Sequence, residues 1–101
     1  MATAETNRVV REPADWMARA DDRILEVIRD EGNMTPLALS REGEVERLDI
    51  GRKYAGIRCR ELSRYGLLER VDRGLYGITD AGEAYLDEEL DASTLEADDA
   101  E

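Results

Sequence analysis

Seven basic side chains fall within residues 51–73: Arg52, Lys53, Arg58, Arg60, Arg64, Arg70 and Arg73, against Glu61, Glu69 and Asp72. The rest of the chain runs the other way. Residues 1–50 hold seven bases and twelve acids, residues 74–101 hold ten acids and no base, and the whole sums to a net charge of -11. A guanidinium can donate two hydrogen bonds to O6 and N7 of a guanine, and any cation here can hold a phosphate. One cationic island in an acidic chain is the electrostatic footprint of a phosphate-binding surface. The chemistry implied is recognition of nucleic acid.

Other chemistries lack their parts. The chain has no histidine and a single cysteine, Cys59, so a nucleophile would have no base partner and a zinc ion almost no ligands. No glycine-rich phosphate loop is present. Carboxylates are too numerous for any pair to signify acid–base work, and the runs EEL and EADDAE lack the alternating spacing of a calcium loop. Neither an enzyme nor a cofactor is expected.

The elements that must position the basic residues follow from local signals. Asp21 or Asp22 can cap a helix running to about Asp30, with Ile24, Leu25 and Ile28 on one face and Gly32 at its end. Thr35-Pro36 starts a second, short helix to about Arg41, expected to bury Leu37 and then Leu39. After a polar connection over residues 42–49, Asp49 is expected to cap a third helix from about Ile50 to Tyr65. On it Ala55, Cys59, Leu62 and Gly66 cluster on one side, with Lys53, Gly56, Ile57, Arg60 and Arg64 opposite. Residues 67–71 alternate as a strand, Asp72-Arg73-Gly74 is turn chemistry, and Leu75–Ile78 returns as a hairpin. Thr79 caps a last helix from Asp80 to about Leu90. The fold expected is mainly α with a small β-hairpin, a winged helix-turn-helix over residues 14–91. A flexible arm at 1–13 and an acidic disordered tail at 92–101 flank it.

On that frame the candidate DNA-binding residues are Arg52, Lys53, Gly56, Ile57, Arg60, Arg64 and Arg73. Arg60 and Lys53 would read base edges, Arg52 would meet the backbone, and Arg73 would serve from the hairpin tip. Ile57 could touch a thymine methyl or be covered by the 42–49 connection. Gly51 either allows close approach or simply begins the helix, and bare Gly56 on an exposed face would let DNA come near. Tyr54 borders the core, where burial competes with a phosphate contact. Arg64, beside Glu61, could instead be a solvated helix-end charge, and Arg70 could pair only with Asp72.

Several stretches in this order resemble a known family. ADDRILEVIRDEGNMTP, RKYAGIRCRELSRYGLLERVDRGLYGITDAG and AYLDEELDA are similar to the haloarchaeal winged helix-turn-helix repressor-like family, the phage phi-H repressor-like proteins. The resemblance covers roughly residues 14–92, and DDRILE, YGLLE and RGLYGIT carry most of it. It implies a sequence-specific transcriptional regulator, with the helix at 50–65 in the major groove and residues 72–75 as wing.

Composition agrees with such a source. Thirteen arginines accompany only one lysine, acids are abundant and Phe is absent, a surface that keeps a protein hydrated in concentrated salt. No apolar run approaches the ~18–20 residues of a membrane span, and MATAETNRVV shows no secretory signal; a cytoplasmic protein is expected. Trp16 and Met17, with Tyr85, Leu86 and Leu90, leave apolar surface that suggests a homodimer through the N-terminal segment and the last helix. The partner expected is double-stranded DNA. The competing reading is a winged-helix module that docks on another protein without binding DNA.

Overall fold

The computed structural model describes residues 14–97, in the order α1 (Asp21–Glu31), α2 (Pro36–Leu39), α3 (Arg52–Arg64), β1 (Leu68–Asp72), β2 (Leu75–Ile78), α4 (Asp80–Leu86) and a short 3-10 helix (Ala92–Thr94). Ile24, Leu25 and Ile28 are buried along one face of α1, and Gly32, at φ 104°, ends the helix by donating its N–H to the Ile28 carbonyl. Neither aspartate caps α1. Ala20 holds the cap position, Asp21 lies fully buried in the first turn, and Asp22 accepts the Tyr85 hydroxyl at 2.7 Å.

Thr35 caps α2 by accepting the Ala38 N–H at 3.1 Å, with Pro36 in the first turn. The helix stops at Leu39, and the expected burial is inverted: Leu39 is fully buried and Leu37 is 45% exposed. Residues two apart point to opposite sides of a helix, so one four-residue turn cannot bury both. α2 and α3 pack together, α3 leans on β1, and α1 packs against both β2 and α4. Ala55, Cys59 and Leu62 form the buried side of α3. Gly66, expected beside them, is exposed at the helix end.

The hairpin pairs Leu68 with Ile78 and Arg70 with Tyr76, and an irregularity between Arg70 and Asp72 leaves Val71 outside the register and 45% exposed. Gly74 turns the chain at φ 68°, a conformation that L side chains adopt only at a cost. Met34 exchanges two backbone hydrogen bonds of 2.9 Å with Tyr76, so the link between α1 and α2 lies on the free edge of β2. Thr79 ties the hairpin to α4: its hydroxyl donates to the Gly66 carbonyl at 2.6 Å and accepts the Gly82 N–H at 3.0 Å. At Gly82 any Cβ would collide with the Leu67 carbonyl oxygen, so this junction tolerates only glycine. The architecture is a winged helix-turn-helix.

α4 ends at Leu86, short of the expected Leu90, and the 3-10 helix follows it. The Asp91 carboxylate accepts the Ser93 N–H at 2.9 Å, which starts the 3-10 helix, and Ala92 is fully buried. Its carbonyl accepts the Trp16 indole N–H at 3.4 Å, while the Trp16 ring stacks on Tyr65 at 3.8 Å between centroids. Trp16 thus finds its cover within the chain, and Tyr85 and Leu86 are buried as well. The arm at 1–13 and residues 98–101 lie outside the described residues. No helix among the described residues is long and apolar enough to cross a membrane.

Candidate nucleic-acid interface

The connection between α2 and α3 sets where α3 begins. The Arg41 N–H donates to the Ile50 carbonyl at 2.9 Å and closes the connection into a loop. Leu48 is buried beneath it, and Arg47 reaches Glu31 at 2.9 Å and the Ala38 carbonyl at 3.1 Å. Gly51 holds the cap position of α3, with no side-chain cap. Asp49, expected there, instead lies 3.5 Å from Arg41, and the Glu42 carboxylate accepts the Arg52 N–H at 3.4 Å. A carboxylate at that end suits the positive pole of the helix dipole.

The outward face of α3 carries Lys53, Ile57 and Arg60 at i, i+4 and i+7, with Arg52 beside them; all four are exposed, Ile57 at 42%. The side chains of Arg52, Lys53 and Arg60 make no hydrogen bond or ion pair with the described residues, and the same holds for Arg73 in the exposed hairpin turn. Gly56 departs from expectation. It is buried between the Pro36 ring of α2 and the Arg60 guanidinium, so it serves the packing of α2 on α3 rather than presenting bare backbone. Arg64 is engaged by Glu61, with contacts of 2.7 and 2.9 Å. Tyr54, expected at the core border, is 42% exposed.

Arg58 leaves the island altogether. Its guanidinium is 12% exposed and donates to both carboxylate oxygens of Asp21, at 3.0 and 2.8 Å, and to the Trp16 carbonyl at 3.1 Å. The hydrogen bond to Asp21 holds the Arg58 pKa above its usual value, against the opposing cost of burial. This arginine fixes α3 against the start of α1, a role missed when it is counted as a surface cation. Its spacing from Ala55 (i+3) and Leu62 (i−4) places it on the core side of α3. Beside it, burial pushes the Cys59 thiol up to about 12, which leaves it protonated and inert at neutral pH.

The chain that carries this helix and hairpin matches known proteins in sequence and in fold. The model of the family described as winged helix-turn-helix phage repressor matches residues 10–98. The repressor protein of Halobacterium phage phiH is 37% identical over 86 residues, which is 81% of this chain and 92% of that protein. The crystal structure of the PhiH1 repressor-like protein from Haloarcula marismortui superimposes with a TM-score of 0.77 at 36% identity, over 87% of this chain and 97% of that one. Order of elements, sequence and superposition agree, and the chain belongs to the winged helix-turn-helix phage repressor family.

Proposed function

We propose that this protein is a sequence-specific double-stranded DNA-binding transcriptional regulator that acts as a repressor. α3 enters the major groove and the hairpin contacts backbone or minor groove as a wing. Carrying most weight is the exposed face of α3, where Arg52, Lys53 and Arg60 stand without carboxylate partners among the described residues, in a chain of net charge -11. Unpaired arginine and lysine around an apolar side chain is the donor set that reads guanine edges and thymine methyls. A surface that docks on protein has no use for cations kept clear of so many available acids. Arg64 contributes to this reading as a phosphate contact only when it exchanges Glu61 for DNA. Gly56 contributes by letting α2 sit close under α3.

Selection from a labelled pool of genomic fragments at high salt tests the reading. Enrichment of one short motif is the expected result. Retention of no fragment at any salt concentration would return the surface to the protein-docking alternative. The proposal extends to two copies on half-sites about one DNA turn apart, ~34 Å. With Tyr85 and Leu86 buried within the chain, the partly buried Trp16, Met17 and Leu90 are what remains of the surface first expected to join the copies. A monomeric mass by light scattering, both free and on DNA, would remove that extension.

A further inference from the structure

A cleft of about 420 Å³ opens where the turn before α1, the end of the 42–50 connection and the first turn of α3 meet. Its size lies within the range of small-molecule sites, ~300–1,000 Å³. Ala20, Leu48, Ile50 and the Tyr54 ring give it an apolar lining. Its charges are three arginines, Arg19, Arg23 and Arg47, against one aspartate, Asp49. Arg19 and Arg23 are four positions apart in the sequence, and folding brings Arg47 to them.

The arginines differ in how far they are committed. Arg47 is held in place by Glu31 and the Ala38 carbonyl. Arg23 is 64% exposed, with a loose contact to Glu26 at 3.8 Å. Arg19 is exposed and makes no hydrogen bond or ion pair with the described residues. Asp49 is 90% exposed and lies 3.5 Å from Arg41, so it neutralises little of the cluster. Two guanidinium groups are therefore available beside an apolar surface, the pairing that suits a ligand with one charged end and one greasy end. An inorganic anion would gain nothing from Leu48, Ile50 and Tyr54, and a neutral apolar compound would gain nothing from Arg19 and Arg23.

We propose that this cleft binds a small amphipathic organic anion, an aromatic or ring-sized apolar body lying on Leu48, Ile50 and Tyr54 with its carboxylate taken by Arg19 and Arg23. Concentrated salt screens long-range attraction, to a length of ~3 Å at 1 M, but leaves direct hydrogen-bonded contact and apolar burial in place. An amphipathic ligand therefore keeps affinity where a bare anion loses it. The site stands whether or not α3 binds DNA.

Heteronuclear NMR titration of the full chain with naphthoate, at constant high ionic strength, is the test. Expected are saturable amide shifts centred on Arg19, Ala20, Leu48, Ile50 and Tyr54. The neutral naphthamide should bind roughly tenfold more weakly, the loss of one charge-assisted hydrogen bond. The double variant Arg19→Gln/Arg23→Gln, both positions on the surface, should weaken naphthoate to the same degree while leaving the melting temperature and the naphthamide titration unchanged. Three results would overturn the proposal: no saturable shifts in the cleft, equal binding of acid and amide, or the same shifts produced by inorganic phosphate at equal concentration.

Discussion

Arg58 of α3 clasps Asp21 of α1 through two hydrogen bonds of 3.0 and 2.8 Å, and the aspartate is completely buried. A charge so placed is tolerable only while its partner is present. Arg58→Met should therefore cost about 3–5 kcal/mol by stranding the Asp21 carboxylate. Asp21→Asn on top of it should return part of that loss, because the remaining amide carries no charge to bury. Urea denaturation of the single and double variants at fixed salt measures both. If Arg58→Met is as stable as the parent, the pair does not hold α3 on α1.

Thr35-Pro36, Gly74 and, in its capping of Gly82, Thr79 act on neighbours a few residues away, so turn and cap chemistry places them. Asp21 and Arg58 are 37 positions apart, and local signals offer Asp21 only as a helix cap and Arg58 only as one cation of the basic island. Both nevertheless lie on core faces, Asp21 with Ile24, Leu25 and Ile28, Arg58 with Ala55 and Leu62. Two opposite charges on the apolar faces of two helices are a signal of pairing that periodicity could have supplied. Gly56 was misplaced for a related reason: its position on the wheel is outward, but α2 covers that part of α3. The cleft of Arg19, Arg23 and Arg47 could not be read from sequence, since its parts come from three separate segments.

Trp16 is the only tryptophan, so its fluorescence reports the packing of the last described segment. Truncation after Leu90 removes the Ala92 carbonyl that accepts its indole N–H, along with the partly buried Leu95. Emission should shift to the red and stability fall by about 1–3 kcal/mol. A disordered tail would produce neither change.

Cys59 supplies a pH dependence whose sign is fixed. Its thiol is raised from 9.0 in a free chain to about 12 in the fold, so the unfolded chain loses the proton first. The stabilisation is complete below pH 9 and is lost as pH climbs from there toward 12. A thermal melt series across that window should fall with pH, and Cys59→Ala should flatten its cysteine-dependent part while lowering stability at neutral pH through the cavity it leaves. In the native protein a thiol-specific disulfide reagent should react only at the rate of unfolding.

A net charge of -11 predicts a salt requirement. Dilution from molar salt to ~10 mM extends screening from ~3 to ~30 Å, and the acids outside residues 51–73 then repel one another across the whole molecule. The melting temperature should drop steadily over that range. A constant value would show that the acidic surface does not govern stability.

Arg60 and Arg73 are assigned different tasks, and salt can tell them apart. Arg60 on the face of α3 is proposed to read a base, so Arg60→Ala should cost about 1–3 kcal/mol on the preferred site and relax the preference at one position. Arg73 in the hairpin turn is proposed to hold backbone or minor groove. Arg73→Ala should weaken all sequences evenly and reduce the salt slope by about one unit. Counterion release contributes little at molar salt, so the Arg60 effect should persist there while the Arg73 effect shrinks. Both side chains are exposed and free of ion pairs with the described residues, so neither variant should change the melting temperature. Binding titrations on preferred and scrambled duplexes at two salt concentrations make the comparison. If both variants bind as the parent does, the exposed face of α3 is not the DNA surface.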